Sequence, residues 1–193
     1  KVDLKKKKKI ITFVGKLNRA KGYDIFGSSI IEILNDNKDW NAIVIGDEER
    51  EKLEFNHDRL NLLGFKNHDE VIKIFKKTSI SVVCSRWEEP FGRTSLESAS
   101  CGCAVIITNR GGLPETITNG VILKNLSKKT LYDAISNLIK NTKYRKEIQN
   151  LSLRNFNLTH QNASIEIDSY RNEILPNFSH KKNLLKKKFK ILH

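Results

Sequence analysis

Residues 80–115 read ISVVCSRWEEPFGRTSLESASCGCAVIITNRGGLPE. Residues 80–84 are a short Ile- and Val-rich run without polar alternation, the pattern of a strand buried on both faces. Pro90, Phe91 and Gly92 turn the chain, and a helix is expected to begin near Arg93. A second apolar run at 104–108 reads as the next strand, and Gly111, Gly112 and Pro114 mark a turn after it. Strand, helix and strand in so few residues imply two parallel strands joined by a right-handed crossover.

The same unit recurs on either side. Apolar runs at 10–14, 42–45, 60–63 and 121–123 read as further strands. Helical spacing lies between them. Residues 23–34 place Tyr23, Phe26, Ile30, Ile31 and Leu34 on one side, and residues 70–77 do so with Val71, Ile74 and Phe75. Asn67, His68 and Asp69 offer capping side chains to the second of these helices, and Asp69 and Glu70 suit its positive end. Alternating strands and helices predict an α/β fold: a parallel sheet with helices on both faces and a ligand crevice at the carboxyl ends of the strands. From Ser127 onward the pattern is helical. Leu131, Ile135, Leu138 and Ile139 form one stripe, Tyr144, Ile148 and Leu151 a second, and Ile165, Ile167 and Tyr170 a third. Pro176 is expected to end the last helix. The reading gives a basic linker at 1–9, one domain at 10–176 and a basic tail at 177–193.

Charge divides along the same lines. The 193 residues carry a formal net charge of +13, but residues 1–9 hold +5 of it and residues 181–193 hold +6. The remaining +2 leaves the body nearly balanced, so the total does not make the domain a nucleic-acid binder, and no interleaving of basic and aromatic residues supports that role. No apolar stretch approaches the roughly 20 residues of a membrane-spanning helix, and the lysine-rich start lacks the apolar segment of a secretion signal. A soluble, cytoplasmic protein is expected. Cys84, Cys101 and Cys103 are odd in number and lack zinc-site spacing, which predicts reduced, buried thiols. The N-x-S/T triplets at Asn125, Asn157 and Asn162 are read as chance in an Asn-rich chain.

Two loops carry residues suited to chemistry. Residues 15–22, GKLNRAKG, place Lys16 and Lys21 between Gly15 and Gly22 at the end of the first strand. Two ammonium groups there would neutralise a diphosphate; the alternative is a pair of solvated surface lysines. In the second loop, Glu89 and Glu97 are separated by seven residues across the glycine turn. Carboxylates suit sugar hydroxyls because each oxygen accepts hydrogen bonds. The N–H groups of Gly92, Arg93, Thr94 and Ser95 at the helix start would form an anion site. The Arg93 side chain is open between phosphate contact and surface, and Glu88 is read as a solvated charge. Trp87 and Phe91 are read as packing groups, with Phe91 also kept among candidate substrate contacts. Glu115 either caps the helix that follows or faces the crevice.

The strings VGKLNRAKG, EEPFGRTSLESASCGCAVI, NRGGLPE and NGVIL, in this order, resemble the group 1 family of retaining glycosyltransferases of the GT-B fold. The resemblance covers about residues 10–170 and implies the Rossmann-like carboxyl-terminal half of that fold, which binds a nucleotide-sugar donor. It implies that Glu89 sits by the donor sugar hydroxyls, that Glu97 holds the ribose, and that the backbone of Gly92 to Ser95 cradles the diphosphate. Lys16 and Lys21 would stabilise charge on the departing nucleotide, and Leu63 would lie near the base. Lys16 stands where the family usually has Arg, and Glu48 where a second glycine often follows Gly46.

The resemblance implies a hexose transferred to a glycan or lipid-linked acceptor, with the nucleotide-diphosphate sugar as co-substrate and no metal or other cofactor. A complete enzyme would need an amino-terminal acceptor lobe, so the chain is expected to be a fragment inactive by itself. A noncatalytic Rossmann-like binding module is the alternative. Lys181, Lys182, Lys186, Lys187, Lys188 and Lys190, set around Leu184, Leu185 and Phe189, are read either as a peripheral contact with the inner face of an anionic membrane or as a solvated tail.

Overall fold

In this computed structural model residues 2–189 are described, with their side chains through residue 175. The chain divides into two compact units, Lys1–Phe156 and Asn157–His193. Within the first, strands β1 (Lys8–Val14), β2 (Asn41–Ile45), β3 (Leu60–Leu62), β4 (Thr78–Val83), β5 (Ala104–Thr108) and β6 (Val121–Leu123) form one sheet. Its order is β3-β2-β1-β4-β5-β6, and every pairing is parallel. The sequence expectation of a Rossmann-like parallel sheet is met. The order reverses direction between β1 and β4, which opens the crevice where ligands of such sheets bind.

Both faces of the sheet are covered because its central strands are apolar on both sides. In β5, Ala104 and Ile106 belong to one hydrophobic cluster and Val105 and Ile107 to the other. The first cluster takes in Phe26, Ile30, Ile33 and Leu34 of helix α1 (Tyr23–Asp36) together with Leu131, Ile135 and Leu138 of α4 (Lys128–Lys140). The second joins Val71 and Phe75 of α2 (His68–Lys77) to Ala99 of α3 (Arg93–Ser100). The period of two along β5 thus feeds two separate cores. Helix α2 starts at a capping box: Asn67 Oδ1 accepts from the Glu70 N–H at 3.0 Å, and a Glu70 carboxylate oxygen accepts from the Asn67 N–H at 3.1 Å. Arg145 of α5 (Thr142–Arg154) donates to the terminal α4 carbonyls of Leu138 and Ile139, at 2.5 and 3.1 Å. All three cysteines are buried and free, and burial pushes the Cys84 and Cys103 thiols up to about 12.

Several boundaries differ from the sequence reading. Residues 4–6 form a 3-10 turn, and β1 begins at Lys8 instead of Ile10, because Lys8 pairs with Thr78 of β4. Apolar patterning misses such a start, since the lysines project away from the core. In the second unit, α6 (His160–Phe189) continues through Pro176, where a stop was expected. One proline removes a single backbone donor and bends a helix, and the turns on either side of it can retain their own bonds. The third apolar stripe is solvent-facing: Ile165, Ile167 and Tyr170 are all exposed. The side chains of the expected basic amphipathic segment at 181–190 lie outside the described residues.

Candidate functional site

The carboxyl ends of β1 and β4 each lead into a loop, and the two loops are bonded to one another. Arg86 and Trp87 direct their N–H groups to the Ala20 carbonyl at 2.8 and 3.2 Å, and Ser85 Oγ donates to it at 3.2 Å. The Arg86 guanidinium donates to Asp24 Oδ1 and Oδ2 at 2.6 and 2.9 Å and to the Arg19 carbonyl at 2.5 Å. Burial by itself would raise the Asp24 carboxyl, but the hydrogen bonds and charge of Arg86 outweigh it and hold Asp24 below the usual carboxylate range. Gly22, at φ +74°, closes the join: a Cβ on it would stand 2.0 Å from the Cys84 carbonyl oxygen.

This lacing carries Lys21 to Glu89, where Nζ meets Oε1 at 2.5 Å. The Glu89 side chain is only 13% exposed. The loop after β5 holds the Glu89 backbone from the other side, with the Gly112 N–H donating to the Glu89 carbonyl at 2.7 Å. Gly111, at φ +51°, lies so close that a Cβ would come within 2.3 Å of the Glu89 carbonyl oxygen. Glu88, expected to be a free solvated charge, is tied into this clamp. It accepts from Arg110 Nη1 at 2.8 Å and from the Gly111 N–H at 2.6 Å, and these contacts hold its carboxyl below the usual range.

Helix α3 begins at Arg93, as the glycine turn implied. Its donors are not all free, because the Arg93 N–H bonds back to the Phe91 carbonyl at 3.1 Å. The buried Ser95 hydroxyl donates to the Gly92 carbonyl at 2.7 Å and contacts Thr116 Oγ1 at 2.5 Å, so this side chain shapes the turn while Thr94 and Ser95 present first-turn N–H groups. One turn on, Glu97 Oε1 lies 3.5 Å from Arg93 Nη2 and 3.5 Å from His68 Nδ1. The Arg93 side chain thereby pairs with Glu97 within its own helix, though it remains mostly exposed. His68 was read from sequence as a capping side chain of α2. Its approach to a carboxylate 29 residues away follows from α2 and α3 packing side by side, which local spacing does not encode.

Gly15 and Lys16 follow β1, and the Gly15 N–H donates to the Ile45 carbonyl at 3.0 Å. Gly46, at φ +133°, rests on the Gly15 carbonyl, where a Cβ would stand 1.9 Å away. Lys16 is exposed and contributes to lowering the carboxyl of Glu48. The larger causes are hydrogen bonds to Glu48 from the Arg50 N–H at 3.1 Å and Asn18 Nδ2 at 2.8 Å. Leu63 follows β3, its N–H bonded to the Val44 carbonyl at 2.9 Å and its side chain partly exposed. Glu115 is exposed in a 3-10 turn. Trp87 and Phe91, expected to pack, are instead 60% and 47% exposed. Among the described residues no group of three or more His, Cys, Asp or Glu is placed to hold a metal ion.

The sequence profile of the family described as glycosyl transferases group 1 matches residues 1–152. Spore coat protein SA of Bacillus subtilis is 26% identical over a 164-residue alignment that covers 76% of this chain and 44% of that protein. The uncharacterized glycosyltransferase MJ1178 of Methanocaldococcus jannaschii is 34% identical over a 145-residue alignment that covers 70% of this chain and 40% of its own length. The chain therefore spans less than half the length of these curated relatives. Among solved structures, the carboxyl-terminal domain of a group 1 glycosyl transferase (LpcC) from Francisella tularensis superposes with a TM-score of 0.68 at 27% identity, covering 75% of this chain and 82% of that one. Anabaena HepE, solved with UDP and with UDP-glucose, has the same fold at 19% identity, covering 85% of this chain and 49% of its own, with TM-scores of 0.68 and 0.66. On a profile spanning most of its length and a fold shared with a carboxyl-terminal domain of the same group, this chain belongs to the group 1 glycosyltransferases.

Proposed function

We propose that this chain is the donor-binding lobe of a retaining glycosyltransferase that moves a hexose from a nucleotide-diphosphate sugar to a glycan or lipid-linked acceptor. The pairing of Lys21 with the largely buried Glu89 beside the start of α3 carries the reading. In the structure this cation and this acid satisfy one another. A donor replaces both halves of the pair, its diphosphate drawing the Lys21 ammonium and a sugar hydroxyl donating to Glu89. The Thr94 and Ser95 N–H groups then face the phosphates, and Glu97, with Arg93 and His68 around it, accepts from the ribose. HepE was solved with UDP and with UDP-glucose, which makes a uracil nucleotide the first to try.

In the transfer the bond from the anomeric carbon to the diphosphate oxygen breaks, and its electron pair leaves with that oxygen. The acceptor oxygen bonds to the anomeric carbon on the same face and passes its proton to the departing diphosphate oxygen. Positive charge grows on the sugar and negative charge on the diphosphate. On this reading Lys21, Lys16 and the α3 N–H groups stabilise the growing negative charge and lower the barrier by a preset field. The acceptor is held by an amino-terminal lobe of a longer protein, so the 193-residue chain alone binds donor but transfers no measurable sugar.

Calorimetric titration with UDP, GDP and ADP sugars tests the reading. Binding of one donor is expected, weakened by about 1.5 to 3 kcal/mol in Lys21→Ala and in Glu97→Ala, roughly tenfold or more in Kd. No binding to any of the three, or variants that bind like the parent, would refute the site. Robust sugar transfer by the chain alone would refute the division of labour.

A further inference from the structure

A second charged surface lies at the other end of the sheet, where β1 and β4 begin. Lys5 and Lys6 of the 3-10 turn, Lys8 at the start of β1, and Lys73, Lys76 and Lys77 on the last turns of α2 line one recess of about 660 Å³. All six are exposed. Among the described ion pairs none involves any of these six, whereas Lys9, Lys66, Lys128 and Lys129 each have an acidic partner. The recess holds a single acid, Asp3, whose side chain already accepts from the Lys5 N–H.

Three separate elements deliver these lysines to one edge. The edge itself is well anchored: Lys7 Nζ donates to the Phe75 carbonyl at 2.8 Å, tying the 3-10 turn to the end of α2. The cluster is therefore a built, one-signed field and not a disordered tail. Charge of one sign left uncompensated on an ordered surface repels itself and is offset by an anionic partner.

We propose that this edge docks the protein onto an anionic lipid bilayer through headgroup phosphates. Lysine ammoniums spread over several elements match a plane of many weakly held phosphates, to which each basic residue adds attraction. The patch has neither the guanidinium forks nor the aromatic platforms that grip nucleic acid. The docking is independent of the donor-site reading. It has one consequence for that reading: β1 runs seven residues from the patch to the crevice, about 20 Å, so the crevice faces away from the lipid. An acceptor reaching it is then a glycan extended from the membrane, not a short lipid headgroup.

The test is sedimentation of the full 193-residue chain with phosphatidylcholine vesicles, with and without 30% phosphatidylglycerol, at about 50 and 500 mM salt. Binding is expected with the anionic vesicles at low salt only. Lys73→Gln/Lys76→Gln/Lys77→Gln is expected to weaken it by about tenfold or more, and Lys5→Gln/Lys6→Gln/Lys8→Gln similarly. Lys186→Gln/Lys187→Gln/Lys188→Gln in the tail is expected to retain most of it. Circular dichroism and donor titration report whether each variant is folded. Equal binding to neutral vesicles, no binding, or loss in the tail variant alone would overturn the proposal. So would tighter binding of a single-stranded oligonucleotide than of vesicles, lost in the same patch variants, which would assign the edge to nucleic acid.

Discussion

Gly22 shows how much of the site depends on one missing methyl group. It combines φ +74° with a Cβ position 2.0 Å from the Cys84 carbonyl, so any side chain there meets both backbone strain and a rigid neighbour. Gly22→Ala is expected to cost at least about 2 kcal/mol in urea unfolding. It should also weaken donor binding, because Lys21 is the adjacent residue. Asp24 offers a second test at this scale. Its folded carboxyl is held below the ordinary value by Arg86, so the stabilisation is present above the ordinary carboxylate pKa and is lost as pH falls through the lowered one. The urea midpoint of the parent should accordingly fall at acid pH. The acid limb of that profile should be shallower in Asp24→Asn.

Among the elements, α2 and the loop over α1 are the most directly testable. The Asn67 and Glu70 capping box satisfies two N–H groups at the start of α2, and Asn67→Ala is expected to cost about 1 kcal/mol in chemical unfolding. Because that helix also carries His68 toward Glu97, the same variant should loosen donor affinity, whereas an equal loss of stability elsewhere should not. The segment between β2 and β3 is seated by Phe55, whose ring packs edge-on to Tyr23 at 5.5 Å and against Gly27 of α1. A Cβ on Gly27 would stand 2.1 Å from the Phe55 ring, so Gly27→Ala is expected to expel that ring and destabilise the fold by about 1 to 3 kcal/mol. Phe55→Ala in the Gly27→Ala background should then cost less than the two single changes summed. A double-mutant cycle measures the difference.

At the scale of the whole molecule, both hydrophobic clusters are built from residues of the unit Lys1–Phe156. A polypeptide of residues 1–156 is expected to fold alone and unfold in one cooperative transition, checked by coincident fluorescence and circular dichroism melts. Most of its architecture is legible in the chain itself. Short Ile- and Val-rich runs alternate with helical spacing, and that local periodicity already dictates parallel strands, crossover helices and a crevice at the carboxyl ends. The glutamates and glycine turns that the proposed site uses are also visible in the chain, because residue types suited to such chemistry can be read wherever they sit. Partnerships between distant residues are not written this way. That Lys21 closes on Glu89, that Glu88 is clamped by Arg110, and that six lysines from three elements share one edge depend on how loops lie across neighbouring strands. Burial of apolar faces constrains each element through its own sequence, whereas a side-chain contact spanning 68 residues exists only after the sheet has set the direction of both loops.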